Sequence, residues 1–251
     1  MKIGNGKFWL GDCLELMKDI PDGSVDMILC DLPYGTTACK WDTIIPFEPL
    51  WEQYWRVAKP NAAIVLTASQ PFTTALISSQ IKNFKYEWIW IKNTPSGHVH
   101  AKNKPIKYHE NICVFSKGVT IHKGQSDKRM NYNPQNLITH EKKLKRHGKP
   151  SNVTMGFRPS HRATETNKSG YPKSYQEFKS ERGFHPTQKP VALFEYLIKT
   201  YTNEGETVLD NCAGSGTTAV ACENTNRRWI CIEQLPEYYY PAVMRVAGAV
   251  T

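Results

Sequence analysis

The sequence predicts an α/β fold, one sheet covered by helices on both faces, carrying a basic insertion. Three observations lead there. Short apolar runs alternate with helix-period patterns through residues 7–115 and again through 191–233. Two of the runs end at an aspartate that opens an unusual turn, Asp31-Leu32-Pro33-Tyr34 in one and Asp210-Asn211-Cys212-Ala213-Gly214-Ser215-Gly216 in the other. Between these turns lies a segment in which positive charge is concentrated.

Taken in order, Lys7–Cys13 reads as a strand and Asp12–Ile20 as a helix with Leu14, Met17 and Ile20 on one face, closed by the turn Pro21-Asp22-Gly23-Ser24. Val25–Cys30 is an apolar run interrupted only by Asp26, and it reads as a buried strand. Phe47–Val57 is an amphipathic helix stopped by Lys59-Pro60-Asn61, Ala62–Thr67 a buried strand, and Pro71–Ile81 a helix. Tyr86–Ile91 alternates strongly, and Asn111–Phe115 is a candidate antiparallel neighbour. After the insertion come a helix over Val191–Thr200, a strand ending at Asp210, a glycine bend, a helix opening at Thr217, and a strand over Arg228–Glu233.

The two turns carry the chemistry. A strand ending in Asp-x-Pro-Tyr offers a carboxylate at Asp31, a forward-pointing carbonyl at Leu32, a turn stiffened by Pro33 and a flat ring at Tyr34. Two acceptors beside an aromatic face suit the exocyclic amino group of a nucleobase. The plainer reading is a strand-end turn that packs one tyrosine. The second turn is built of small residues, as needed where backbone approaches a ligand and bends into a helix. It lacks the third glycine of a dinucleotide fingerprint, since Ala219 stands there, and the lysine of a phosphate loop.

Asp31-Leu32-Pro33-Tyr34 resembles the Asp-Pro-Pro-Tyr motif of the amino-methyltransferases, with Leu32 in place of the first proline. Residues 207–218 resemble their S-adenosylmethionine loop, with Asn211-Cys212 where Pro-Phe is usual. Phe184-His185-Pro186-Thr187-Gln188-Lys189-Pro190 is similar to a segment that precedes that loop in DNA amino-methyltransferases. With the Asp31 motif ahead of the cofactor loop, the order is that of the beta-type, S-adenosylmethionine-dependent family. The resemblance implies a three-layer, Rossmann-like methyltransferase sheet, circularly permuted, in which Lys7–Cys13 is the usual third strand, Met27–Cys30 the fourth and Arg228–Glu233 the second. It covers most of residues 7–118 and 184–245. The expected division is 1–118 as the catalytic half, 119–183 as a basic target-recognition insert and 184–251 as the cofactor half.

Charge fits that insert. The formal net charge is +9, and residues 117–182 hold 15 basic side chains against 5 acidic ones, so the remainder is near neutral. Such concentration is the footprint of a polyanion; its plainer reading is a solvated loop. Lys128, Arg129, Lys142, Lys143, Lys145, Arg146, Arg158 and Arg162 are the candidate DNA contacts. The seven cysteines form no Cys-x-x-Cys pair and mostly sit in apolar runs, which argues against zinc and for a reducing, cytoplasmic setting; the resemblance implies a bacterial or phage-encoded protein. No secretory signal and no membrane-spanning run is expected.

The resemblance implies methyl transfer from S-adenosylmethionine to N6 of a flipped adenine in DNA. Asp31 and the Leu32 carbonyl would accept the two N–H bonds, and Tyr34 would stack on the base. The implied cofactor set is Asp12, Cys13, Thr187, Lys189, Asp210, Ala213, Gly214, Ser215, Gly216, Thr217 and Glu233. Within it, Asp12 faces the cofactor's adenine, Glu233 its ribose, Asp210 its amino group, and Thr187 with Lys189 its carboxylate. Asp12 and Glu233 also read as a helix cap and a strand end. Trp41 and Asp42 are weaker candidates for the base pocket. N4-cytosine methylation, whose branch more often has Ser at the Asp31 position, an RNA adenine methyltransferase, and an inactive DNA-binding module are the alternatives. A homodimer and a cognate restriction endonuclease are left open as partners.

Overall fold

A computed structural model describes residues 1–37, 39, 42–120, 126–146, 164–181, 183 and 188–250. Strands β1 (Lys2–Ile3) and β2 (Gly6–Leu10) form a tight antiparallel ribbon. Helix α1 (Cys13–Leu16) follows, and a single 3-10 turn (Met17–Asp19) completes it. The helix expected over Asp12–Ile20 is thus split into two tight turns. A segment this short has little helical stability of its own, and Pro21 prevents extension; burial of Met17 and Ile20 anchors it instead.

Strand β3 (Val25–Asp31) is followed by α2 (Phe47–Val57), which has the expected bounds and buries Leu50, Trp51, Tyr54 and Val57 at helical spacing. Next come β4 (Ala58–Ala68), α3 (Phe72–Ser79), β5 (Phe84–Ser96) and β6 (Lys107–Phe115). These three strands outrun their apolar cores because ladder pairing continues through polar residues, as where Trp90 pairs with Glu110. Strands β7 (Ile138–Arg146) and β8 (Thr164–Ser169) form a separate antiparallel pair. Strand β9 (Tyr175–Phe178), helix α4 (Val191–Tyr201), β10 (Thr207–Asp210), α5 (Thr217–Asn224), β11 (Arg228–Glu233) and α6 (Pro236–Val250) complete the order.

Among the described residues the main sheet has nine strands in the order β1-β2-β11-β10-β3-β4-β6-β5-β9. Neighbours from β2 to β4 run parallel, and β6 enters antiparallel between β4 and β5. Strand β10 therefore sits between β11 and β3 although it lies far from β3 in the chain. This is the permuted order expected from the motifs. Period-2 alternation divides the core: Met27 and Leu29 pack with α4, α5 and α6, whereas Ile28 and Cys30 pack with α1, α2 and α3. The result is the three-layer α/β architecture.

The chain divides into two compact units, Met1–Asn133 with Ser174–Thr251, and Pro134–Lys173. The second unit is narrower than the insert expected over 119–183. Residues on both flanks are held by the main unit: Met130 is buried, the Asn131 N–H donates to Asn61 O at 3.1 Å, and β9 adds in parallel to β5.

At one place the sheet leaves no room for a side chain. Gly6 pairs with Trp229, and a Cβ there would lie 2.1 Å from the buried indole. Gly6→Ala should therefore lower stability by about 1–3 kcal/mol through overpacking. Urea unfolding measures this, and an unchanged midpoint would contradict the close contact.

Candidate active site

Parallel strands place their carboxyl ends on one edge of the sheet, where α/β folds bind ligands. Here β11, β10 and β3 are neighbours, so Glu233, Asp210 and Asp31 finish side by side.

Asp31 is the most heavily contacted of the three. The Tyr34 hydroxyl donates to Oδ1 at 2.8 Å, and the Thr67 hydroxyl at the end of β4 makes a short hydrogen bond to the same oxygen. Oδ2 is ion-paired with Lys189 Nζ at 2.7 Å. Lys189 also lies 3.3 Å from Glu110 Oε2, and Glu110 Oε1 pairs with Lys92 at 3.0 Å. Four charges of alternating sign are thus linked in one chain of ion pairs. Burial alone would lower the Lys189 pKa, but Asp31 and Glu110 outweigh it and hold the ammonium above its ordinary value. Burial alone would raise the Glu110 pKa, yet Lys189 and Lys92 pull it down. Tyr34 is pushed well up, first by burial and then by the charges of Asp31 and Glu110.

Tyr34 has a partner for its ring as well. It stacks on Phe72 at 5.2 Å with 26° between planes, and Lys189 Nζ lies 5.7 Å from its centroid. Phe72 therefore covers one face of the Tyr34 ring. Beyond Tyr34 the backbone turns around Asp42, whose carboxylate accepts the N–H groups of Gly35, Thr36 and Thr37 at 2.9, 2.8 and 2.7 Å. Burial opposes its ionisation, but these donors hold its pKa below the ordinary value.

The glycine bend is fastened on several sides. Gly214 and Gly216 have φ of 50° and 74°, left-handed backbone that favours glycine. Glu233 Oε2 accepts the Gly214 N–H at 2.8 Å and Oε1 the Leu235 N–H at 2.9 Å. The Ala213 N–H donates to Ile232 O at 2.9 Å. Arg245 on α6 reaches Ser215 O at 3.0 Å and Thr217 Oγ1 at 3.1 Å. The Thr217 hydroxyl donates to the Lys189 carbonyl at 3.3 Å. Lys189 therefore touches the bend through its backbone and Asp31 through its side chain, which brings the two distant motifs to one place.

A family model described as DNA methylase matches residues 25–244. The chain belongs to the DNA methylase family. It is 26% identical over 253 residues to the type II methyltransferase M.HpaI of Haemophilus parainfluenzae, covering 94% of this chain and 72% of that protein. The M1.HpyAVI–SAM complex superposes with a TM-score of 0.62 at 25% identity, covering 96% of this chain and 99% of the other. The cytosine-N4-specific PvuII DNA methyltransferase shares the fold, with a TM-score of 0.67 at 15% identity over 97% of this chain and 87% of its own.

Within this DNA methylase the candidate residues fall into three groups. Asp31, Leu32, Pro33, Tyr34, Lys189, Asp210, Ala213, Gly214, Ser215, Gly216, Thr217 and Glu233 belong to the strand edge just described. Lys189 differs from expectation, because its ammonium is engaged by Asp31 and Glu110. Asp210 turns inward, accepting from Cys212 N–H at 3.0 Å and from the Thr218 hydroxyl. Asp12 caps α1 through Oδ1, accepting the Leu14 N–H at 2.8 Å. Cys13 lies beside Asn211 Nδ2 at 3.5 Å; its thiol pKa is lowered, chiefly by the Cys212 hydrogen bond. Thr187 and Trp41 lie outside the described residues.

The DNA candidates are spread over both units. Lys128 and Arg129 stand in the main unit, while Lys142 and Lys143 are exposed on β7 of the second. Lys145 and Arg146 are placed only as backbone of β7, and Arg158 and Arg162 lie outside the described residues.

Sequence reasoning missed Glu110, Lys92, Thr67, Phe72 and Arg245. Lys92 and Glu110 each lie one residue beyond an apolar strand run, so hydrophobic periodicity passed over them. Opposite charges at the same end of two adjacent strand candidates were the available signal.

Burial raises the Asp210 pKa from an ordinary 3.8 to about 6. A carboxyl raised by folding contributes stability below its unfolded pKa and loses it as pH rises through the folded one. Asp210→Asn should therefore flatten the fall in stability between pH 4 and 6, read by thermal unfolding. An unchanged profile would remove Asp210 as its source.

Proposed function

We propose that this DNA methylase transfers a methyl group from S-adenosylmethionine to N6 of an adenine turned out of the DNA helix. The observation that carries the reading is the junction at Lys189, which joins the Asp31 turn to the glycine bend. Likeness to the M1.HpyAVI–SAM complex supports the cofactor.

The donor set fits that cofactor. A carboxylate has about four lone-pair sites, and Glu233 gives part of them to backbone N–H groups, those of Gly214 and Leu235 among them, leaving capacity for a ribose hydroxyl. Gly214 offers no side chain to obstruct approach. Ala213, Ser215, Gly216 and Thr217 would line the methionine portion, with Asp12 and Cys13 toward the cofactor's adenine and Thr187 toward its carboxylate. When bound, the cofactor supplies an electrophilic sulfonium methyl group.

This chain's residues would then solve the problem posed by the acceptor. A purine amino group is a poor nucleophile because its lone pair is delocalised into the ring. Asp31 and the Leu32 carbonyl accept its two N–H bonds and draw the nitrogen toward tetrahedral geometry. Charge-assisted acceptance is the stronger kind, and acceptors aimed at developing positive charge favour the transition state. Asp31 receives the released proton after transfer. Tyr34 stacks on the target base, held square by Phe72 and by its hydroxyl contacts to Asp31 and Thr67. A base must leave the duplex to reach such a site. The second unit, with nine basic residues against two acidic ones, fits phosphate contact and target recognition.

N4-cytosine transfer uses the same acceptor logic, and the likeness to the PvuII enzyme keeps it as the second reading. Mass spectrometry of nucleosides from methylated DNA separates the two, with N6-methyladenine expected. N4-methylcytosine would move the assignment to cytosine, and preferential labelling of RNA would move it to RNA.

Asp31→Ala should lower methyl transfer at least about a hundredfold while calorimetry still detects cofactor binding. Ordinary turnover of tritiated methyl groups by that variant would exclude Asp31 as the acceptor. DNA affinity should drop about a thousandfold between roughly 50 and 200 mM salt, as for a protein contacting several phosphates. A flat salt response in a filter-binding assay would take the basic unit out of the interface.

A further inference from the structure

Lys189 stands where the target should go. Oδ1 of Asp31 already accepts from Tyr34 and Thr67, and Oδ2, the remaining oxygen, carries the Lys189 ammonium at 2.7 Å. Methyl transfer places positive charge on the target nitrogen. An ammonium on the same carboxylate oxygen would compete for its lone pairs and repel that charge.

The structure provides a second seat for the lysine. Glu110 Oε2 is buried and already ion-paired with the same Nζ at 3.3 Å, but without good hydrogen-bond alignment. A buried acceptor so poorly aligned is imperfectly satisfied, and a small movement of Lys189 would complete the bond. Glu110 is itself fixed from behind by Lys92 at 3.0 Å, so the lysine can move toward a stationary carboxylate.

We propose that Lys189 is a gate on Asp31: it occupies Oδ2 in the resting enzyme and transfers to Glu110 Oε2 when the target amino group enters. Lys189 and Glu110 are then positioning residues, acting through Asp31. The gate rests on the assignment of Asp31 as acceptor for the target amino group. It keeps the acceptor compensated while no base is bound, and it makes release of Asp31 part of base entry. Moving the ammonium also removes a cation from the carboxylate as the methylated nitrogen becomes charged.

The groups facing this centre come from every neighbouring element. They are Cys30 from β3, Lys92 from β5, Lys107 and Glu110 from β6, Asp210 from β10, and Tyr34 on the connecting turn.

The test compares wild type, Glu110→Gln and the double variant Lys189→Met with Glu110→Gln. The measurement is tritiated methyl transfer to unmethylated bacterial DNA, with KM determined separately for DNA and for S-adenosylmethionine. Glu110→Gln removes the second seat, so KM for DNA should rise about tenfold while KM for the cofactor is nearly unchanged. The double variant should bring KM for DNA back to within about threefold of wild type. Equal DNA KM values in the two variants would overturn the gate. So would a raised cofactor KM in the double variant with no recovery for DNA, which would seat Lys189 on the cofactor. If Glu110→Gln alone does not fold, the double variant decides: a KM for DNA raised about tenfold over wild type contradicts the proposal. Wild-type protein that labels no DNA would instead defeat the functional reading on which the gate rests.

Discussion

The contact between Lys189 and Asp31 is the joint that holds the resting site together. It spans 158 positions of sequence and is only 6% exposed on the lysine side. A pair so shielded from solvent is held by geometry as much as by attraction, because removing either member leaves an uncompensated charge. Glu110 and Lys92 extend the compensation inward, and the Lys189 carbonyl carries it to Thr217 at the start of α5. The residue before α4 thus ties the end of β3 to the glycine bend after β10.

Such a joint requires the permuted sheet. β10 lies between β11 and β3, so the carboxyl ends of three strands distant in sequence become neighbours. The bend after β10 is fastened to β11 through Glu233 and to α6 through Arg245. Pre-organisation of this kind is what a methyl transfer needs, since the protein's contribution is mainly to hold two reactants in line.

Much of this was legible in the residues. The centres of strands β3, β4, β10 and β11 are buried on both faces, and their short apolar cores marked them clearly. Both turns stand out because Pro33, Gly214 and Gly216 impose backbone behaviour that ordinary residues do not. The edges of the insertion were not legible. Residues 126–133 and 174–181 share its polar composition, and their attachment to the main unit comes from backbone pairing and from Met130, which leave no periodic trace. The role of Lys189 was hidden for another reason. Its motif suggested a cofactor anion, whereas the nearest anions in the fold are carboxylates of this chain, on strands that only tertiary structure brings together. Asp12 follows the same lesson, since a carboxylate at a strand end followed by a helix serves as an N-cap as readily as a ligand contact.

The central claim is that Asp31 and the glycine bend serve one site. A crystal structure with S-adenosylhomocysteine tests it most directly. The ligand is expected along Gly214 and Glu233, with its sulfur turned toward the Asp31 turn. Density for the ligand elsewhere on the molecule, or a sulfur directed away from Asp31, would contradict it.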